Sequence, residues 1–229
     1  MRKIGSWYIP EGDAYGTARD GDATDARVLH GLESTNRDFV KDVLNYTDGR
    51  RVFVDVGAGF GSISRPLASH FDEIHCFEIN PESREALITN MSEHKNAYVY
   101  DFGLGPSTQE VKFGYHSTYR NVGSVIKENG EQYQKPRRDE YIPDVIDTLK
   151  IKALDDLNLK NIDAIKIDVE GYEFEVLKGM ANTLKYNSPA IFIEVHDDRH
   201  LQMLDYMNDL EYINIGADIK SDRIYKRYK

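Results

Sequence analysis

The sequence predicts an α/β fold, a mostly parallel sheet with helices on both faces, and three observations point to it. Apolar runs of strand length alternate with helix-length stretches along most of the chain. The runs are apolar enough to be buried, as the strands of a covered parallel sheet must be. The first of them, in "VFVDVGAGFGSIS" (residues 52–64), ends in an acid and three glycines at alternate positions before a helix-compatible segment. At 229 residues the chain can bury one sizeable core, so a single domain over residues 1–229 is expected.

In chain order, residues 1–35 read as an N-terminal arm rich in Gly, Asp and aromatics, with "ARVLHGLES" beginning a helix. From Asn36 the segment "NRDFVKDVLNY" puts Phe39, Val40, Val43 and Leu44 on one helical face, and "TDGR" ends it. "RVFVDVGA" is then a strand, "SISRPLASHF" a helix, "EIHCFEI" a strand, "PESREALITNMSEH" a helix opened by Pro81, and "NAYVYDFGL" a strand. Residues 105–150 break this rhythm; "EVKFGYH" and "GSVIKE" suggest hairpin strands or a flexible excursion. Alternation resumes with "IDAIKIDV" as strand, "YEFEVLKGMANTLKY" as helix, "PAIFIEVH" as strand and "RHLQMLDYMNDL" as helix, and "YINIG" and "RIYKRYK" close the chain as strands.

The 29 basic and 39 acidic residues give a net charge of −10, which argues against a nucleic acid as main partner despite the basic stretch "QKPRRDE" (134–140). The single cysteine, Cys76, lies in an apolar run and reads as a small core residue. Neither a secretory leader nor an apolar run of spanning length is apparent, so a soluble, cytoplasmic protein that does not engage a membrane is expected.

Glycines after a buried strand let the backbone turn sharply and approach a ligand with no Cβ in the way, a role open to Gly57, Gly59 and Gly61. Their G-x-G-x-G spacing differs from the G-x-G-x-x-G of dinucleotide folds and is weak by itself. Glu78 adds to it: an acid at the tip of the second strand accepts hydrogen bonds from both hydroxyls of a ribose lying across the sheet, which points to an adenosine cofactor. Asp55, two residues before the first glycine, disfavours a pyrophosphate and suits a ligand carrying an ammonium and a sulfonium. S-adenosylmethionine therefore fits better than NAD.

With these residues in view, the chain resembles the FkbM family of class I S-adenosylmethionine-dependent methyltransferases. "FVDVGAGFGSIS", "HCFEINPESREALITN", "TLKIKALDDLNLKNIDAIKIDVEGYEFEVLKG" and "PAIFIEVH" follow that family's blocks in order, over about residues 36–197, and "KIDVEGYEFEVLKG" is the most specific. The resemblance implies a Rossmann-like, seven-stranded sheet whose last strand is antiparallel. It places Asp55, Gly57 and Gly59 around the methionine moiety, Glu78 on the ribose, and Asp101 near the adenine, with Phe102 and Leu104 supplying apolar contact. "YRNVGSV" resembles the family's Asn-x-Gly segment, which would put Asn121 on the acceptor side. The opening "SWYIPEGDAYGT" also resembles the arm of some members.

Ligands in open parallel sheets sit beyond the carboxyl ends of the strands. In "IKIDVEG" alternation puts Lys166, Asp168 and Glu170 on one side, and in "IFIEVHDD" Glu194 and His196 share a side. If the two strands are neighbours, Asp168, Glu170, Glu194 and His196 meet at one spot, as catalytic candidates for methyl transfer to a hydroxyl. His196 or Asp168 then serves as base and Glu170 or Glu194 orients the substrate. Three carboxylates and an imidazole also make a credible Mg²⁺ site, although no metal is expected to be required. Lys166 reads as a structural partner of Asp168, and Glu173 and Glu175 as acids in the first turn of a helix. Tyr172 either packs or faces substrate.

The expected activity is methyl transfer to a hydroxyl of a small-molecule or carbohydrate acceptor. Residues 1–35 and 105–150 shape specificity, and Tyr8, Tyr15, Tyr115, Tyr119, Tyr133 and Tyr141 offer faces for a sugar. An NAD-dependent oxidoreductase would need a Tyr-x-x-x-Lys pair on a helix, and that spacing occurs only at Tyr225 and Lys229 in a strand-like tail. Transfer to nitrogen would want a cage such as Asn-Pro-Pro-Tyr, which is missing after the fourth strand. A non-catalytic cofactor-binding protein is the remaining alternative.

Overall fold

The computed structural model describes residues 1–11, 25–117, 123–133, 142–195, 197–216 and 222–228. Tyr15, Tyr119, Asn121, Tyr141, His196 and the basic stretch 134–140 lie outside the described residues.

Seven strands form the main sheet: β3 (Val52–Val56), β4 (Glu73–Phe77), β5 (Ala97–Tyr100), β10 (Ile162–Ile167), β11 (Ala190–Glu194), β12 (Tyr212–Asn214) and β13 (Asp222–Arg227). Their spatial order is β12-β13-β11-β10-β3-β4-β5. Every pairing is parallel except the two made by β13, so the last strand in sequence runs against the rest. All five residues of β3 are buried, as a central strand covered on both faces requires. Strand order reverses between β3 and β10, which opens a crevice at their carboxyl ends.

Helix α1 (Asp25–Tyr46) is one continuous 22-residue helix. Helix α3 (Pro81–Met91) starts where its sequence says: the Asn80 side chain accepts the Glu82 amide at 3.0 Å and Pro81 fills the first turn. Two expected helices are shorter than their pattern. The one after the glycines, α2, is a single turn (Ser64–Leu67) that already contains Pro66. The stretch expected as one helix from Tyr172 is two, α4 (Glu173–Lys178) and α5 (Ala181–Asn187), followed after β11 by α6 (His200–Asp209). The break between α4 and α5 falls at Gly179, where a Cβ would lie 1.9 Å from the Gly105 carbonyl oxygen. The Gly179 carbonyl, released from the helix, accepts the Asp155 amide at 3.0 Å.

The irregular segments hold two small sheets. A hairpin of β1 (Arg2–Ile4) and β2 (Trp7–Ile9) buries Ile4 and Ile9 beside Val28, Leu32, Phe60 and Ala86. The excursion after β5 is a four-stranded sheet, β6 (Gly103–Leu104), β9 (Val145–Lys152), β7 (Gln109–Tyr115) and β8 (Gly123–Val125), paired in that order. Seven antiparallel pairs join β7 to β9. Among the described residues no helix is long and apolar enough to cross a membrane.

Candidate active site

Gly57 follows β3 with φ +77°, and a Cβ there would meet the Asp168 carbonyl oxygen at 1.8 Å. Only glycine lets the ends of β3 and β10 close on each other. Gly59 (φ +57°) has no atom within 4 Å of its absent Cβ, and its open side faces a cavity of about 550 Å³. That volume is in the range of small-molecule sites, ~300–1,000 Å³.

Glu78, one residue past β4, forms part of the cavity wall and is 7% exposed. Its two oxygens accept the Gly59 and Asn80 amides, each at 2.7 Å, which fixes the carboxylate across the glycine turn. Burial pushes its pKa up to about 7, against the lowering effect of the Asn80 and Gly59 amides. Raised above its unfolded value, this pKa stabilises the ligand-free fold at low pH, and the contribution is lost as pH rises from about 4.5 to about 7. A ligand whose hydroxyls donate to the carboxylate reverses the preference and binds the ionised form. Its affinity is expected to climb by up to about tenfold per pH unit toward pH 7 and then level off. Titrations of S-adenosylhomocysteine between pH 5.5 and 8.5 check this, and Glu78→Gln should both weaken binding and flatten the profile.

Asp55 stands behind this wall. Parallel register sets it beside Lys166 on one side and Cys76 on the other. It is fully buried, with Ser64 donating to one carboxylate oxygen at 2.5 Å and the Lys166 ammonium 3.3 Å from the other. Asp55, expected near the methionine moiety, does not itself line the cavity, whereas Lys166 does. Lys166 also donates to the Gly57 carbonyl at 2.8 Å and lies 3.5 Å from Asp168, so one cation ties the glycine turn to the mouth of the crevice. Cys76 is a core residue whose thiol donates to Ser64 at 3.2 Å; burial pushes its pKa well up and keeps it unreactive.

Strands β10 and β11 are neighbours, with Ile167 opposite Ile193, so Asp168 and Glu194 leave the sheet side by side. One oxygen from each of Asp168, Glu170 and Glu194 lies within 4.8 Å of the others. Asp168 and Glu170 belong to the cavity wall and Glu194 adjoins them from outside it. Glu170 takes φ +52°, a left-handed conformation that costs a non-glycine residue on the order of 1–3 kcal/mol and needs support from its surroundings. The support is visible. Ser124 on β8 donates to the Glu170 carbonyl at 2.8 Å, Arg199 to the Gly171 carbonyl at 2.6 Å, and the Glu173 carboxylate accepts the Gly171 amide at 2.8 Å. Glu173 is thus a buried brace for the turn, while Glu175 pairs with Lys178 at 2.7 Å.

Two residues expected at the adenine end do not line the cavity. Asp101 is exposed and stands outside the cavity wall. Phe102 is buried in an aromatic cluster, its ring tilted against Phe77 and Tyr100, with the Lys152 ammonium over it. The cause is the turn after Tyr100, which sends Phe102 into the core and brings Gly103 and Leu104 to the wall. Tyr172 both packs and faces the cavity, and burial pushes its phenol pKa up to about 12. Ser34, Asn36 and Phe39 on α1, and Phe113, Val125 and Ile151 on the second sheet, line the cavity without having been singled out. Their helical and alternating patterns carry no mark of a ligand-facing role.

The strand order, the glycine turn and the acid at the end of β4 define the Rossmann-like fold of the class I methyltransferases. More narrowly, the chain belongs to the family described as the methyltransferase FkbM domain, whose sequence profile matches residues 55–213. It is 24% identical to the hexuronic acid methyltransferase AglP of Haloferax volcanii, over 70% of this chain and 62% of that protein. It is 27% identical to the AMB antimetabolite synthetase AmbE of Pseudomonas aeruginosa, over 65% of this chain and 8% of that protein. The chain thus spans less than two thirds of the length of either relative. The crystal structure of an FkbM methyltransferase from Methylobacillus flagellatus superposes with a TM-score of 0.53 at 17% identity, over 78% of this chain and 44% of that one. Magnesium protoporphyrin IX methyltransferase (ChlM) from Synechocystis, solved with bound SAM, gives 0.50 at 12% identity, over 91% and 85%. At these identities the likeness is one of fold.

Proposed function

We propose that the chain transfers a methyl group from S-adenosylmethionine to a hydroxyl of a glycan-like acceptor. One observation carries the reading: a single cavity runs from the Glu78 carboxylate, past the open side of Gly59, to Asp168 and Glu170 at the switch point. S-adenosylmethionine, when bound, supplies a methyl group on a sulfonium. Glu78 accepts from the ribose hydroxyls, and Gly57 and Gly59 allow the backbone close approach. Asp168 would take the proton of the acceptor hydroxyl, and Glu170 and Glu194 would orient that hydroxyl toward the methyl donor. The second sheet contributes Phe113, Val125 and Ile151 as the acceptor wall. His196 remains the alternative base.

The hexuronic acid named for one relative supports a carbohydrate acceptor. The reading is tested with tritiated S-adenosylmethionine and glucuronate-bearing saccharides. Label that survives alkali and lies on oxygen marks an ether formed at a hydroxyl. Alkali-labile label marks an ester on the carboxylate, and label on an amine marks nitrogen transfer; either contradicts the reading. The three clustered carboxylates also fit a hard cation, so the assay is run with EDTA. A rate within about twofold of the untreated enzyme is expected, and abolition followed by recovery with Mg²⁺ reassigns the cluster to metal binding.

A further inference from the structure

A second cavity, of about 460 Å³, opens on the other side of the turn that carries Glu170. Glu170 and Tyr172 line the first cavity while Gly171 between them lines the second. Tyr172 and Tyr133 meet edge to face at 4.7 Å, one on each side, and form part of the wall between the two. The second cavity offers aromatic surface from Phe174 and Tyr206, which pack at 5.6 Å and 86° so that a face and an edge are presented together. Among the described lining residues the cations are Lys127, Lys178 and Arg199 and the acids Glu175 and Asp209. Lys178 is held by Glu175 at 2.7 Å, and Arg199 by the Gly171 and Tyr133 carbonyls at 2.6 and 2.5 Å, with the Glu173 carboxylate 4.0 Å away. The Lys127 ammonium sits 5.2 Å from the Tyr133 ring centroid, at the edge of the aromatic surface.

We infer that this cavity is a subsite for a carboxylate-bearing sugar residue of an extended acceptor, stacked on Tyr206 and Phe174 with its carboxylate on Lys127. Aromatic faces suit the C–H faces of a pyranose, and the Lys127 ammonium at the edge of that surface is a charged donor for one carboxylate. The inference rests on the reading of the first cavity as a site of transfer to a glycan hydroxyl, and names where the next sugar is held.

The test is calorimetric titration of the whole chain with a hyaluronan tetrasaccharide, which carries glucuronate, and with neutral chitotetraose, alongside S-adenosylhomocysteine. The acidic saccharide is expected to bind at least about tenfold more tightly than the neutral one. Lys127→Glu and Tyr206→Ala each should weaken it by about tenfold or more, Tyr206→Phe should retain it, and affinity for S-adenosylhomocysteine should be unchanged in all three. Equal binding of the two saccharides, or undiminished binding by Lys127→Glu, overturns the subsite. So does a chain that binds S-adenosylhomocysteine and no acidic saccharide. Saccharide binding with this mutational pattern but no S-adenosylhomocysteine binding sustains the subsite and contradicts the methyl-transfer reading.

Discussion

Lys166→Met is expected to destabilise the chain by about 3–5 kcal/mol, the usual loss when one partner of a buried ion pair is removed. The Asp55 carboxylate has no exposure, and without Lys166 it keeps, among the described residues, the Ser64 hydroxyl as donor. The same change deletes the donor to the Gly57 carbonyl and the cation beside Asp168, so the glycine turn loosens as well. Denaturant unfolding measures the loss. The double variant Lys166→Met with Asp55→Asn should recover part of it, because the two effects share one interaction. A loss below about 1 kcal/mol in the single variant would mean that Asp55 is not a buried carboxylate in need of a partner.

Asp168→Asn is expected to lower the turnover of methyl transfer by about 10²–10⁴-fold, the range for removal of a general base. Affinity for S-adenosylhomocysteine should stay within about twofold, since the amide keeps the side chain's shape. Glu170→Gln and Glu194→Gln should cost less, as groups that orient and do not accept the proton. If Asp168→Asn turned over normally and His196→Ala carried the loss, the imidazole would be the base.

The main sheet was legible because its strands are short runs of apolar residues whose burial leaves little choice of partner. VFVDV and IDAIKI can only be central strands, and their adjacency follows from the topology that βαβ units permit. Glu78 stood out as a candidate for a related reason, since an acid ending a buried strand has few structural uses, and it lies in the cavity wall. Asp168, Glu170 and Glu194 come together as alternation along neighbouring strands requires, although Glu170 owes its place to a left-handed turn that alternation does not describe. Other features depend on tertiary contact. The β1–β2 hairpin has three-residue strands, too short for any period to emerge. The break at Gly179 comes from a neighbour 74 residues earlier in sequence, Gly105, and the pattern of the helix itself is unbroken. Asp55 is buried behind the cavity wall, and Lys166, read as the partner of Asp168 alone, pairs with both acids and itself lines the cavity.

The central claim is that the crevice between β3 and β10 holds an adenosine-bearing methyl donor, and calorimetric titration with S-adenosylhomocysteine, with NAD in parallel, tests it most directly. The account predicts one-to-one binding of S-adenosylhomocysteine with and without Mg²⁺, no binding of NAD, and a loss of about 1.5–3 kcal/mol in Glu78→Ala, the range for hydrogen bonds to a charged group. Binding of NAD in its place, or S-adenosylhomocysteine binding that Glu78→Ala leaves untouched, would contradict it.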